Sequence, residues 1–225
     1  GYMVTKFINA YARVDDVYVA SPSAFAYGYN VYELHDGQEY ICPVGLGSMG
    51  TGLPCAIGAC IASGKKRTIF GEGDGSLQRN IQELALLREY DLPIKIFIDS
   101  NNGYRQIYTM QQTHFAGRFA GCTPESGVGM PNLRSIAEAY GLDYYEIVCA
   151  DKTEEIVRRA LADDVPAIIN MVSSPAVEFV PIIKSRIGAD GKMISSKLED
   201  LYPFLPEEEQ RRNMELCREM TESVR

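Results

Sequence analysis

The sequence predicts an α/β protein, a doubly wound parallel sheet with helices on both faces, followed by an irregular C-terminal tail. Three observations support this fold class. Apolar stretches of strand length alternate with stretches of helical periodicity, the turns between them are short, and the stretch at 167–172 is almost wholly apolar. Strand–helix–strand order favours parallel strands joined by right-handed crossovers, and strands inside a parallel sheet are apolar along their whole length.

The first half of the chain contains clear start and stop signals. Gly64 follows a helical stretch of small and apolar residues and ends it. Asn80 is a good N-cap for the next helix, because Glu83 stands three residues later in the spacing of a capping box, and Pro93 stops that helix. These signals predict strands over 39–44, 66–73 and 94–100, with a helix over 53–63 and another beginning after Asn80.

The second half repeats the pattern and then changes character. It predicts helices over 132–141 and 151–163 and strands over 143–148 and 167–172, and the N-terminal "VYVAS", 17–21, adds a further strand. From about Ser174 the chain becomes polar and rich in turn residues, which is typical of an extended tail or lid. We therefore expect one domain over 1–183 and a C-terminal extension over 184–225.

Composition excludes several classes of function. The chain has 225 residues and a formal net charge of −8, which argues against binding nucleic acid or an anionic membrane. No apolar run approaches the roughly 18 residues that a membrane span needs. The start of the chain is too polar for a signal peptide, so we expect a cytoplasmic protein. None of the six cysteines forms a C-x-x-C pair, which disfavours a zinc or iron–sulfur site.

Two glycine-rich loops follow predicted strands. The first, "GLGSMG" at 45–50, fits the G-x-G-x-x-G pattern of dinucleotide sites, but the acid expected about 20 residues later is absent. Glu72 lies 27 residues after Gly45, inside the second loop, "GEGDG" at 71–75. The dinucleotide interpretation is therefore disfavoured.

Polar side chains follow two consecutive strands of the predicted sheet. Asp74 follows the strand that ends near Gly71, and Asn101 follows the next strand, 27 residues later. One crossover fits between them, so both loops emerge at the same edge of the sheet. A carboxylate and an amide oxygen beside a glycine loop suit Mg²⁺, which fills its remaining positions with phosphate oxygens and water. Asp74 is therefore expected to hold the cation that bridges to a diphosphate.

The segment "GEGDGSLQRNIQELALLREYDLPIKIFIDSNNGY" resembles the Gly-Asp-Gly…Asn-Asn motif of thiamine-diphosphate (ThDP) enzymes, most closely the acetolactate synthase branch. "GLGSMGTGLPCAIGA" resembles the loop that precedes this motif in the same enzymes. The resemblance runs from about residue 15 to the tail. It implies the ThDP-binding fold, with thiamine diphosphate and Mg²⁺ as cofactors.

The resemblance implies a role for each matching residue. Asp74, the Asn101 side chain and the Gly103 carbonyl would bind Mg²⁺, and counting from Asp74 favours Asn101 over Asn102. Met49 would force the cofactor into its bent shape. Gly47, Ser48, Met49, Gly73, Gly75, Ser76 and Tyr104 complete the cofactor-binding set, in which Gly47 accepts a hydrogen bond from the pyrimidine amino group and Ser76 contacts the diphosphate. His114 is a candidate acid–base residue.

The family also implies an activity and a partner. Its members are carboligases or decarboxylases of 2-oxo acids, and their activating glutamate lies on a pyrimidine-binding domain that precedes this one. We therefore expect the chain to be a fragment or one subunit of a split enzyme, inactive alone, with a pyrimidine-binding partner in a homo-oligomer. Alternatives are the ThDP subunit of a split 2-oxo acid oxidoreductase and a non-catalytic module that retains the fold.

Two departures from the family pattern leave questions open. Acetolactate synthases carry tryptophan where this chain has Met110, so their particular substrate pair is not implied here. Asp99 and Ser100 replace Leu and Asn of the family motif. Asp99 is either an acid that caps or supports the metal loop, or a solvated strand end.

Overall fold

The computed structural model describes residues 2–21, 32–43, 45–174, 176, 180–187 and 192–223. The chain divides into two compact units, Gly1–Val177 and Glu178–Arg225. The boundary predicted after residue 183 falls inside the second unit. Residue 44, the last of the predicted strand over 39–44, lies outside the described residues.

The first unit is built on a six-stranded sheet in which every recorded pairing is parallel. Its strands are β1 (Val17–Ala20), β2 (Tyr40–Ile41), β3 (Thr68–Gly73), β4 (Ile94–Ser100), β5 (Asp143–Ile147) and β6 (Ala167–Val172). Their spatial order is β2-β1-β3-β4-β6-β5. Because β3 and β4 are neighbours, the loops that follow them meet at one edge of the sheet, as the sequence predicts.

Helices cover both faces of this sheet, so the doubly wound α/β fold is confirmed. They are α1 (Tyr2–Tyr11), α2 (Gly52–Ala62), α3 (Asp74–Leu77), α4 (Leu84–Glu89), α5 (Arg105–His114), α6 (Leu133–Ala139) and α7 (Thr153–Ala160). Alternate strand residues belong to two apolar clusters, one on each face of the sheet. The first cluster packs strand residues against α2, α4 and α6, and they are Val19, Phe70, Ile96 and Ile168. The second packs strand residues against α1 and α7, and they are Tyr18, Ile69, Phe97 and Ile169.

The amino edge of the sheet is held by buried charges. The Arg67 guanidinium, just before β3, forms an ion pair of 2.5 Å with Asp16, just before β1, and both side chains are buried. Lys95, near the start of β4, is also buried and bonds to Asp163 at 2.7 Å. None of the predicted site residues lies among these four, so this edge is occupied by structural contacts.

One predicted feature differs from the structure, and two helices were not predicted. The Asn80 side chain does not cap a helix; its amide donates to the Gly50 carbonyl at 2.5 Å, and a 3₁₀ turn over Ile81–Glu83 precedes α4. The capping box is therefore wrong, because a contact with a distant loop has taken the side chain. Helices α1 and α5 were not predicted at all.

The second unit contains regular structure where an irregular tail was predicted. A short antiparallel pair joins β7 (Arg186–Ile187) to β8 (Met193–Ile194), and α8 runs over Glu207–Ser223. The first turn of α8 contains three acids, Glu207, Glu208 and Glu209. Negative charges there stabilise the helix, because the helix dipole is positive at its N-terminus. Over its described residues, the predicted irregular tail is thus corrected to an antiparallel strand pair and a helix. No helix among the described residues is long and apolar enough to cross a membrane.

Candidate functional site

Asp74 stands at the point where β3 passes into α3, and its carboxylate is buried. Oδ1 accepts the Gly75 N–H at 2.8 Å, and Oδ2 accepts the Asn102 N–H at 2.7 Å. Burial raises the pKa of Asp74 to about 6, and the charge of Asp99 adds to this, although the backbone N–H bonds lower it. The bond to Asn102 joins the loop after β3 to the loop after β4, as a single crossover between the two strands predicts.

Asn101 and Asn102 have opposite surroundings. The Asn101 side chain is 6% exposed, and its Oδ1 is a buried atom with no hydrogen-bond partner. Asn102 is exposed and adopts a left-handed backbone with φ of 60°. A buried amide oxygen without a partner is costly, and a hard cation would satisfy it. Residues 101–104 are called the metal loop below, after the metal site that the sequence predicts there.

The metal loop is braced by its contacts with neighbouring segments. The Tyr104 N–H donates to the Cys122 carbonyl at 2.9 Å. A Cβ added to Gly103 would lie 2.1 Å from the same carbonyl oxygen, and one added to Gly75 would lie 2.3 Å from the Tyr104 ring. A side chain at Gly103 would therefore clash with the backbone, and one at Gly75 would have to displace the Tyr104 ring.

The first glycine loop is bonded to the second. The Gly50 N–H donates to Ser76 Oγ at 2.9 Å, which sets the Ser76 hydroxyl beside the first loop. Gly47 has a left-handed backbone with φ of 62° and open space around its α-carbon, and Ser48 is exposed. Met49 is 43% exposed. The loop thus presents residues 47–49 to solvent while its end is fixed to the loop after β3.

Glu72 is a buried acid that sequence reasoning did not place in the site. Its Oε1 accepts bonds from the Ser21 hydroxyl and, at 2.9 Å, from the Gly73 N–H, while Oε2 is buried without a partner. Burial raises the pKa of Glu72 to about 7, against the hydrogen bonds that lower it. Glu72 therefore ties the end of β1 to the glycine loop after β3.

Asp99 is a buried acid and not a solvated strand end. Its carboxylate forms an ion pair of 2.9 Å with Arg105, the first residue of α5. The sequence analysis did not identify this partner, although one local signal was available. A polar residue inside an otherwise apolar strand, followed closely by an arginine, is the signal that could have indicated it.

His114 is the last residue of α5, and its side chain is exposed. Because α5 has ten residues, it places His114 about 15 Å from the metal loop. The structure therefore brings Asp74, Asn101, Gly103, Ser76 and Tyr104 together, but leaves His114 one helix length away.

A parallel sheet with two glycine loops and a buried acid–amide pair at its carboxyl edge is the architecture of an α/β domain that binds a diphosphate cofactor. The family described as "Thiamine pyrophosphate enzyme, C-terminal TPP binding domain" matches residues 23–171. The chain belongs to this family, and thiamine diphosphate is the cofactor that the family binds.

Individual relatives agree with this family. The chain is 33% identical over 147 residues to a probable acetolactate synthase large subunit of Methanocaldococcus jannaschii, covering 65% of this chain and 24% of that protein. It is 28% identical over 186 residues to the acetolactate synthase large subunit of Lactococcus lactis, covering 82% of this chain and 32% of that protein.

A solved structure is also similar. The thiamine diphosphate-dependent 4-hydroxybenzoylformate decarboxylase of Rhodococcus jostii matches with a TM-score of 0.66 and 27% identity, over 77% of this chain and 32% of that one. The chain therefore spans about a quarter to a third of the length of these relatives.

Proposed function

We propose that this chain binds the magnesium–diphosphate end of thiamine diphosphate in an acetolactate synthase-like carboligase or decarboxylase of 2-oxo acids. The buried, partnerless Oδ1 of Asn101 carries the proposal. It lies in the loop that is bonded to the buried Asp74 carboxylate. One divalent cation would stabilise both groups. It would give the amide oxygen a partner, and it would favour the charged form of the Asp74 carboxylate, whose pKa is raised by burial.

Three groups would hold Mg²⁺: the Asp74 carboxylate, Asn101 Oδ1 and the Gly103 carbonyl. This set contains a single acid, Asp74; among the described residues, no group of three or more His, Cys, Asp or Glu side chains could hold a metal ion. One acid suits Mg²⁺ that shares its coordination with phosphate oxygens. Gly73, Gly75, Ser76 and Tyr104 surround the place where the diphosphate would lie.

The residues of the first glycine loop would contact the rest of the cofactor. Gly47 would accept a hydrogen bond from the pyrimidine amino group through its carbonyl, and Met49 would support the bent shape from below. Bound thiamine diphosphate supplies carbanion chemistry at its thiazolium ring. The contribution of this chain is to bind and orient it, since Ser76 and Asn80 hold Gly50 in place.

The assembly and the cellular setting are further parts of the proposal. Residues 45–49 are all exposed, and Leu46 is 94% exposed. A pyrimidine-binding domain, within a homo-oligomer, would cover this loop and provide the activating carboxylate. All six cysteines are free, which fits a reducing cytoplasm.

The proposal is tested by titrating the 225-residue chain with thiamine diphosphate in a calorimeter, with Mg²⁺ and with a chelator. Binding is expected only when Mg²⁺ is present, because the diphosphate charge needs the cation beside Asp74. Equal binding in both conditions, or none in either, would contradict the proposal. Exchange of the C2 proton of thiamine diphosphate for deuterium, followed by NMR after the pyrimidine-binding domain is added, separates a catalytic chain from a non-catalytic module.

The choice between the two asparagines gives a paired prediction. Asn101→Ala is expected to weaken magnesium-dependent binding by about 10-fold or more, the cost of about 1.4 kcal/mol or more for one lost ligand. Asn102→Ala is expected to weaken it less, because the Asn102 side chain is exposed. Calorimetry on both variants decides; greater sensitivity at Asn102 would show that the ligand position is wrong by one residue.

A further inference from the structure

Asp99 and Arg105 form a buried, two-pronged contact beside the metal loop. Arg105 Nη1 lies 2.9 Å from Asp99 Oδ2, and Nη2 donates to Oδ1 at 3.3 Å. Each side chain is 7% exposed. A planar guanidinium that bonds both oxygens of a carboxylate fixes the relative orientation of the two groups as well as the distance between them. This pair is called the Asp99–Arg105 clamp below.

The clamp extends to a third element of the fold. The Ser173 hydroxyl, just after β6, donates to Asp99 Oδ1 at 2.6 Å. Arg105 Nη2 donates to Ser173 Oγ at 2.5 Å and to the Ser174 carbonyl at 3.1 Å. Strand β4, helix α5 and the end of β6 are therefore bonded together at one point.

The position of the clamp in the chain connects it to the metal loop. Asp99 lies near the end of β4, Arg105 is the first residue of α5, and only residues 100–104 separate them. Asn101 and Gly103, two of the three proposed cation ligands, lie in this interval. The clamp therefore fixes both ends of the segment that presents them, including Asn102 with its left-handed backbone, a conformation that surrounding contacts must maintain.

A contribution to the stability of the fold does not explain why the clamp is present. A buried ion pair contributes little net stability, because desolvation offsets the attraction between the charges. A positive charge in the first turn of a helix is also unfavourable, because the helix dipole is positive there. Arg105 is thus placed where neither α5 nor the core favours it, whereas a precisely held loop needs such a contact.

We propose that the Asp99–Arg105 clamp positions Asn101 and Gly103 for the divalent cation that binds with thiamine diphosphate, and that Arg105 is a positioning residue for this site. Residues that orient metal ligands from behind typically change metal affinity 10- to 100-fold when they are replaced. The inference rests on the proposed function, because the cation is the one proposed above.

The test compares two buried arginine–aspartate pairs at opposite edges of the sheet. Asp99→Leu/Arg105→Met replaces the clamp with apolar side chains and leaves no unpaired charge. Asp16→Leu/Arg67→Met makes the same change at the amino edge, where Arg67 bonds both oxygens of Asp16. Mg²⁺ is titrated calorimetrically into each chain with saturating thiamine diphosphate, and Tm is measured without ligands.

The clamp variant is expected to bind Mg²⁺ about 10- to 100-fold more weakly than the unaltered chain, while the control variant changes Tm but keeps its Mg²⁺ affinity. A clamp variant with unchanged affinity would overturn the inference. So would an equal loss in both variants, because a general loss of stability would then explain it.

Arg105→Lys is a second variant in case the double substitution prevents folding. It keeps a positive charge beside Asp99, but an ammonium cannot hold both carboxylate oxygens together with Ser173 and Ser174. Weaker Mg²⁺ binding with a nearly unchanged Tm is expected, and unchanged Mg²⁺ binding would contradict the inference. If the unaltered chain shows no magnesium-dependent binding, the proposed function itself fails, and the inference with it.

Discussion

Asp74→Ala is expected to abolish magnesium-dependent binding of thiamine diphosphate. Asp74 supplies the only negative charge among the three proposed ligands, and Mg²⁺ gives up its water reluctantly. Removing one partner of a buried charge pair costs about 3–5 kcal/mol, which corresponds to roughly 100-fold or more in affinity. The substitution also removes the acceptor for the N–H groups of Gly75 and Asn102, so the two loops lose the hydrogen bond between Asn102 and Asp74.

Asp74→Asn separates the charge from the hydrogen bonds. It keeps the size of the side chain and one oxygen for a backbone N–H, and it is expected to lose magnesium-dependent binding as well. Asp16→Asn is the matched control, because Asp16 is also buried but lies at the amino edge; its cofactor affinity should stay unchanged. If Asp74→Asn binds the cofactor normally in calorimetry, Asp74 is not the metal ligand.

Gly103→Ala is expected to cause a comparable loss of cofactor binding. The added Cβ would lie 2.1 Å from the Cys122 carbonyl oxygen, and a backbone atom cannot turn aside as a flexible side chain can. The metal loop must therefore move, which displaces Asn101 and the Gly103 carbonyl together. Overpacking of this kind typically costs about 1–3 kcal/mol of stability, so Tm should fall as well.

Gly58→Ala provides the control for the glycine prediction. Gly58 lies in α2, and a Cβ there would meet no atom within 4 Å. Alanine is favoured over glycine in a helix, so Tm should stay the same or rise, with unchanged cofactor affinity. Normal cofactor binding by Gly103→Ala, or equal effects of the two substitutions, would contradict the close approach at Cys122.

The sheet and the two glycine loops could be predicted from the sequence because they depend on local physical features. Strands β3, β4 and β6 appear as apolar stretches bounded by turn signals, and one crossover between Asp74 and Asn101 places both residues at one edge. The choice of Asn101 over Asn102 as the ligand, which rests on the distance from Asp74 in the sequence, stays a prediction. These features depend on neighbours along the chain, which a sequence displays directly.

The remaining features depend on residues far apart in the chain. Arg105 reaches Ser173 across 68 positions, and Ser21 reaches Glu72 across 51. Asn80 has the spacing of a capping box, yet its side chain bonds to Gly50, 30 residues earlier. Helix α5 begins with an arginine whose partner lies in a strand. Tertiary contacts decided each of these cases, and spacing along the chain is not enough to predict such contacts.

The two buried arginine–aspartate pairs lie at opposite edges of the sheet, so substitutions at one edge can be made independently of the other. Strand β3 has six residues and therefore spans about 20 Å, with Arg67 before its first residue and Asp74 after its last. Effects of substitutions separated by more than about 10 Å usually add. Substitutions at the amino edge can therefore change thermostability without changing the ligand site. The residues of the carboxyl edge can then be selected for ligand binding independently of stability.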